Sequence, residues 1–474
     1  MTDGVIRGRR APAAVELETV LRRAQQAGAS FADVRVETVE ENRLRIEDGD
    51  LRGLVAGAET GFALRVLVDG AWGFAASNDL SPASWRSALE QAVRLAKATA
   101  GRSEPVRLAD APPVRARVTW RPKIDPQDVA VEEKRSLLRG MEKAVRELEA
   151  IRNVTTGYAD ATVRKQYLST DGSDIEWGLT RSVAQIHFTA RSGGHLAGRS
   201  TRVGGTGGWE LFALEDPVAK ALEAAQATVR ALGAPAAKGG RTTVVVDGEL
   251  AGVFAHEAVG HAAESDLVAA GESCFRGRLG ERVGVEGLTI HDDSTIQGAF
   301  GSFPFDDNGV AGSDKPLVRD GVLVGYLCDR EHAATQGMEP NGAARAQDFR
   351  HRPLVRMSNT MIEPGDHAEE EVFDGIRDGV FCKGSRGGQV DTARGTYLFN
   401  AQEAYRIVDG EVREPLRDVS LTGEVLHTLH NIEALGDVQR LGDPGYCGKG
   451  QWVPVCDGGP LVRIRDCLVG GAAE

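Results

Sequence analysis

Residues 241–266 read RTTVVVDGELAGVFAHEAVGHAAESD, and the fold is decided there. TTVVVD is short, β-branched and apolar, which predicts a strand. Asp247 at its end is suited to cap a helix over residues 249–264, so the chain passes from strand to helix with no linker between them. Beyond Ser265 the sequence becomes strand-rich and glycine-rich, with turn signals at Asp307-Asn308-Gly309, Asp320-Gly321 and Asp409-Gly410. A mostly antiparallel β domain carrying one helix is expected over residues 236–474.

Upstream, GAPAAKGG at residues 233–240 is the clearest linker in the chain. Before it, helical periodicity over residues 15–27 and 81–100 brackets alternating strands that break at Asp48-Gly49 and Asp69-Gly70, both hairpin signals. Residues 102–125 contain Pro105, Pro112, Pro113 and Pro122 without sustained periodicity, which marks a boundary. A helix over residues 129–148, a strand meander turning at Asp160 and Asp171-Gly172, and a helix over 216–232 follow. The expected class is α+β, with two N-terminal α/β sandwich-like units (1–120 and 121–235) ahead of the C-terminal domain. No repeat of fixed period occurs, although the first two units have the makings of distant structural relatives.

A chain of 474 residues suits two or three domains, each with its own core. Its formal net charge of −13 disfavours the broad basic surface needed for nucleic acid or anionic membrane. No apolar run approaches the roughly 18 to 20 residues of a membrane span, and residues 1–20 lack the apolar stretch of a secretory signal. A cytoplasmic protein is expected. The six cysteines, at 274, 328, 382, 447, 456 and 467, show no C-x-x-C spacing and are expected to be reduced.

Within the expected helix, His256 and Glu257 are followed by His261, five residues after the first histidine. The nearest chemical pattern is H-E-x-x-H, in which histidines at i and i+4 bind zinc and the glutamate activates water. One extra residue turns the second imidazole about 140° from the first on an ideal helix, instead of about 40°. Chelation therefore needs the helix to widen by one residue at a π-bulge, a distortion that Gly260 is expected to ease. A glycine inside a helix costs about 1 kcal/mol relative to alanine, so its presence calls for a reason. The bland alternative leaves His256 and His261 as ordinary polar residues of a half-exposed helix.

Catalytic zinc takes three protein ligands and keeps one position open. Candidates for the third are Glu264, Cys274, His291 and Cys447. Cys447 lies in GDPGYCGKGQ, where glycines let the backbone expose the sulfur and Lys449 favours the thiolate; its alternative is a small buried residue at a tight turn. Two neutral imidazoles and a thiolate would leave a divalent site at about +1, still able to polarise a carbonyl. Glu257 would take a proton from the attacking water and deliver it to the leaving amine. Asp292-Asp293 and Asp306-Asp307 read as turn residues ahead of a second metal site. GSRGGQVD at residues 384–391 reads either as a glycine-rich turn or as a place where a peptide backbone comes close.

Across residues 241–471, HEAVGH, LTIHDDST, FDDNGV, RMSNT, GGQVD, EAYRI, GYCGKGQWVPV and VGG occur in an order that resembles the TldD/PmbA family of zinc peptidases, and specifically its TldD-type subunit. The resemblance implies Zn2+ held by His256, His261 and Cys447, with Glu257 as catalytic base. It also implies a TldE/PmbA-like partner subunit without the metal motif, in a heterodimer or, as the variant case, a homodimer. The pair would enclose a narrow cleft for extended, unfolded peptides, with leader trimming, small-protein degradation or maturation of peptide natural products as roles. Residues 1–235 fit the family more loosely. Ala262-Ala263-Glu264-Ser265-Asp266 stands where the family commonly shows Gly-Leu-Glu-Gly-Asp, and residues 382–386 are also less typical; both departures bear on substrate preference.

Three competing readings share these residues. The H-E-x-x-G-H string is similar to the dipeptidyl peptidase III motif, but no second helix with an acidic ligand motif accompanies it here. A scaffold subunit that binds substrate without cleaving it is a non-enzymatic alternative, against which the retained His256, Glu257, His261 and Cys447 argue. A metal-dependent amidase acting on a small metabolite is separated from a peptidase only by substrate profiling.

Overall fold

The computed structural model describes residues 14–102 and 104–471; the expected lack of a secretory signal rests largely on residues 1–13, outside the described residues. Helices α1 (Ala14–Gln26) and α2 (Pro82–Thr99) flank strands β1 (Phe31–Glu47), β2 (Asp50–Val68) and β3 (Ala71–Ser77). Ser81 caps α2 by accepting from the Ser84 N–H, and Pro82 takes the first helical position, where its missing donor costs nothing. Both Asp-Gly pairs turn with positive φ at each residue, 47° and 87° at Asp48-Gly49 and 51° and 75° at Asp69-Gly70. This is the backbone twist a two-residue hairpin requires.

The same helix, three-strand, helix order recurs after β4 (Arg115–Trp120). It comprises α3 (Val131–Arg146), β5 (Ile151–Ser169), β6 (Asp174–Ser192), β7 (His195–Thr206), a short α4 (Leu211–Leu214) and α5 (Pro217–Leu232). β1 pairs antiparallel with β5, so one sheet in the order β3-β2-β1-β5-β6-β4 runs through both regions, with β7 also on β6. In one half of the sheet Phe62 and Leu64 of β2 pack against Leu17 and Leu21 of α1 and Trp85 of α2, with Phe62 stacked on Trp85 at 3.6 Å. In the other half Tyr158 of β5 and Phe188 of β6 pack against Leu138 and Met141 of α3 and Ala221 and Ala225 of α5.

One local expectation fails here. Asp160 is no turn residue: it sits inside β5, where its carboxylate accepts from buried Lys134 at 3.0 Å and from Asn42 at 2.9 Å. A paired buried charge overrides the poor strand propensity of aspartate. The proline-rich boundary contains β4, which alternates in burial and runs parallel to β6, too short a strand to stand out among prolines.

The C-terminal half holds two larger sheets. In one, Asp378–Asp391, β8 (Gly240–Val246), Val462–Gly470, Ser420–Glu424 and Thr396–Val408 are neighbours in turn, and pairing of the first with the last closes a ring. The other contains Ile290–Asp293, Asp314–Arg319, Asn359–Ile362 and Trp452–Gly459. Most pairs are antiparallel, as expected, but β8 runs parallel to Asp378–Asp391 and Asn359–Ile362 parallel to Trp452–Gly459. The whole is α+β, in agreement with the sequence.

Helix α6 (Gly248–Phe254) leaves β8 directly, and Asp247 caps it by accepting from the Leu250 N–H at 2.9 Å. It presses on the Trp452–Gly459 strand so closely that a Cβ at Gly252 would lie 2.2 Å from the Gly458 nitrogen. Ion pairs fasten the N-terminal sheet to this domain: Lys165 to Asp307 at 2.7 Å, Arg35 to Asp307 at 3.4 Å and Arg199 of β7 to Glu403 at 2.5 Å. Asp306 accepts from the backbone N–H groups of Asn308 and Val310, while buried Asp292 meets Lys315 at 3.2 Å. Both acidic pairs thus engage in structural contacts. No helix among the described residues is long and apolar enough to cross a membrane.

Candidate metal centre

The helix expected over residues 249–264 is regular only to Phe254. Residues Ala255–Gly260 form a π-helical turn, His261–Ala263 a 3-10 turn, and α7 (Ser265–Ala270) follows. The His261 N–H bonds the carbonyl of His256, an i to i+5 closure that absorbs the extra residue and turns both imidazoles to one side. Their ring centroids are 5.4 Å apart with planes at 90°. Gly260 has a different role from the expected one. Its φ of −58° is ordinary helix, whereas a Cβ there would fall 2.0 Å from Met357 Sδ, so the glycine is required by packing.

From the other side of the domain, strand Gly445–Gly448 brings Cys447 Sγ to 3.3 Å from His261 Nε2. One donor atom from each of His256, His261 and Cys447 lies within 4.8 Å of the others, and all three residues are buried. The remaining third-ligand candidates lie outside this cluster. Glu264 is hydrogen-bonded behind it, to His261 Nδ1 at 2.9 Å; His291 pairs with Asp314 at 2.6 Å; Cys274 packs beside Gly395. Glu257 extends alongside, Oε2 at 3.9 Å from His261 Nε2, and keeps 27% of its side chain exposed.

Burial disfavours charge on the three clustered groups, yet they charge one another. Burial pushes the Cys447 thiol up, but the His256 and His261 rings outweigh it and bring the thiol down to about 4. Against burial, the sulfur raises His256 to about 9, and Glu264 and the sulfur raise His261 well above the usual range. His256 Nδ1 is buried without a hydrogen-bond partner. A thiolate, two imidazoles and an orphaned ring nitrogen fit a divalent ion of borderline softness, whose charge would replace that of the ring protons.

These groups form part of the floor of a cleft of about 780 Å3. Residues 198–202 of β7 and 385–388 of the glycine-rich strand also line it, with Tyr446 and Trp452. Glu249, Asp443 and Asp457 supply an acidic wall that the sequence reading missed. Burial, then like charge from Asp443 and Asp247, raises Glu249 to about 8; burial raises Asp457 to about 7 in spite of His256. His256 lies seven positions after Glu249, about two helical turns, and that spacing was the available signal for a shared face.

Family-level sequence profiles match three consecutive stretches, described as PmbA/TldA metallopeptidase domain 1 (residues 32–96), central domain (124–232) and C-terminal domain (239–471). The class they define is a metallopeptidase. A protein of Methanothermobacter thermautotrophicus named Metalloprotease is 41% identical over 93% of this chain and 95% of its own. The Zinc metalloprotease TldD homolog of Saccharolobus solfataricus is 30% identical over 95% of this chain and 99% of its own. The chain belongs to the PmbA/TldD metallopeptidase family. Its fold is shared with TldE from Thermococcus kodakarensis, at a TM-score of 0.77 and 17% identity, covering 96% of this chain and 100% of that one. A putative modulator of a DNA gyrase from Thermotoga maritima gives 0.77 and 20% identity, covering 96% and 99%.

Proposed function

We propose that this chain is a zinc-dependent peptidase that hydrolyses amide bonds of extended or unfolded peptides, as the TldD-type subunit of a pair with a TldE/PmbA-like partner. The observation that carries the reading is the convergence of two imidazoles, one thiolate and a free-standing carboxylate on one cleft. His256, His261 and Cys447 would hold the ion. Zinc bound there would supply Lewis acidity toward the scissile carbonyl and toward water.

Glu257 does the proton work. Its partly exposed carboxylate can accept a proton from the attacking water and return it to the leaving amine, so one group acts first as base and then as acid. The edge backbone of residues 198–202 and the glycine-rich backbone of 385–388 can hydrogen-bond an extended substrate, which favours shape over side-chain identity. Names borne by relatives, Metalloprotease and Zinc metalloprotease TldD homolog, support the reaction class, and the likeness to TldE supports a partner of the same fold.

The test is zinc content together with cleavage of an unfolded peptide, its products weighed by mass spectrometry, for the purified chain alone and mixed with a TldE-like partner. Cleavage that disappears in Glu257→Gln is expected. A zinc-loaded protein that cuts no amide in either setting, or a Glu257→Gln variant as active as the wild type, would rule the reading out.

A further inference from the structure

Glu264 is completely buried, and its contacts join two segments far apart in the chain. On one side Oε2 accepts from His261 Nδ1 at 2.9 Å, which turns Nε2 of that ring toward Cys447. On the other, Lys449 Nζ stands 3.1 Å from the same Oε2, bonds Asp266 at 2.6 and 2.8 Å, and donates to the Val355 carbonyl at 3.1 Å. Buried Arg356 donates to the Cys447 carbonyl at 2.6 Å and to the Gln451 carbonyl at 2.8 Å, with its Nε 3.9 Å from Glu264 Oε1. One carboxylate therefore faces one imidazole and two cations. Arg356 holds the strand at the Cys447 carbonyl, while Lys449, two positions past Cys447, ties the end of that strand to Glu264 and Asp266.

A carboxylate without solvent is costly unless paired, and apolar side chains would fill the same space at lower cost. The geometry points to Glu264 as a positioning residue that, through Lys449 and Arg356, holds the Cys447 strand in register with His261 before any metal arrives; this rests on the metallopeptidase reading above. Carboxylates behind ligating histidines fix the ring tautomer and orientation. Here the same carboxylate also sets the position of the third donor. Disturbing Lys449 therefore loosens the sulfur while leaving both imidazoles on their helix.

Cobalt(II) is the probe, because a thiolate ligand gives a charge-transfer absorption band that imidazoles do not. The full-length wild type, Glu264→Gln, Lys449→Met and Lys449→Arg are titrated with cobalt under chelator competition, and thermal unfolding of the metal-free proteins reports folding. Glu264→Gln and Lys449→Met should each bind roughly 10- to 100-fold more weakly. Lys449→Met should lose most of the charge-transfer band in a protein that still unfolds cooperatively, though at a lower transition because Glu264 and Asp266 lose a counter-charge, and Lys449→Arg, which keeps the cation, should recover part of both. If Glu264→Gln does not fold, the Lys449 pair alone decides. Folded variants that bind within about twofold of the wild type with a full band overturn the proposal and leave the metallopeptidase reading standing. A wild type that binds cobalt without a thiolate band overturns both.

Discussion

Cys447 Sγ stands 3.3 Å from His261 Nε2, although 186 positions of chain separate the two residues. The helix supplies two imidazoles on its own; only the closing of the domain adds the sulfur. Cys447→Ser is therefore expected to fold, to keep His256 and His261 in place and to weaken zinc binding by about 100-fold or more. Chelator competition on the purified variant measures it, and an unchanged affinity would show that the sulfur is no ligand.

Glu257→Gln preserves shape and removes the base. Peptide turnover should drop by roughly 10² to 10⁴, with zinc bound in the same stoichiometry as in the wild type. Loss of metal along with activity would instead assign Glu257 to coordination.

Gly260→Ala drives a methyl group into Met357 Sδ. Although alanine is the better helix former by about 1 kcal/mol, the overpacking should prevail and destabilise the metal-free protein by about 1 to 3 kcal/mol. In a Met357→Ala background the same change should be neutral or stabilising, a coupling that denaturant titration of the four proteins resolves. Equal penalties in both backgrounds would mean that the glycine is needed for its backbone after all.

The raised Glu249 makes stability fall as pH climbs from about 4.5 to about 8. Its folded value is about 8, lifted by burial and then by Asp443 and Asp247, against 4.5 for an ordinary glutamate. The contribution is fully present below the unfolded value and is lost as pH rises through the folded one, because only the folded state still holds the proton in between. Glu249→Gln should remove this decline and be more stable than the wild type by about 1 to 2 kcal/mol near pH 9, after allowance for solvent in the cleft. Denaturation midpoints from acid to alkaline pH that run parallel in the two proteins would contradict it.

Hairpins at Asp48-Gly49 and Asp69-Gly70, the Ser81 and Asp247 caps, and the strand feeding α6 were all legible, because each depends on residues a few positions apart. Asp160 was misread for the complementary reason. Its partners Lys134 and Asn42 come from other elements, and a local turn preference carries no knowledge of them. The ring of strands in the C-terminal half was equally invisible, since it needs β8 to pair with Asp378–Asp391 and with Val462–Gly470, both more than a hundred residues downstream.

At the candidate centre the division runs between spacing and convergence. The sequence by itself determined that His256 and His261 could share a face only if the helix widened by a residue, since 3.6 residues per turn leaves no other solution. Residue spacing left the third donor open among several candidates, and the tertiary structure decided that Cys447 stands beside the imidazoles, as the family resemblance implied, why residue 260 is glycine, and that Glu264 lies behind the ring of His261. Those outcomes depend on distances of a few ångströms between segments with no fixed relation along the chain, and packing is what sets them.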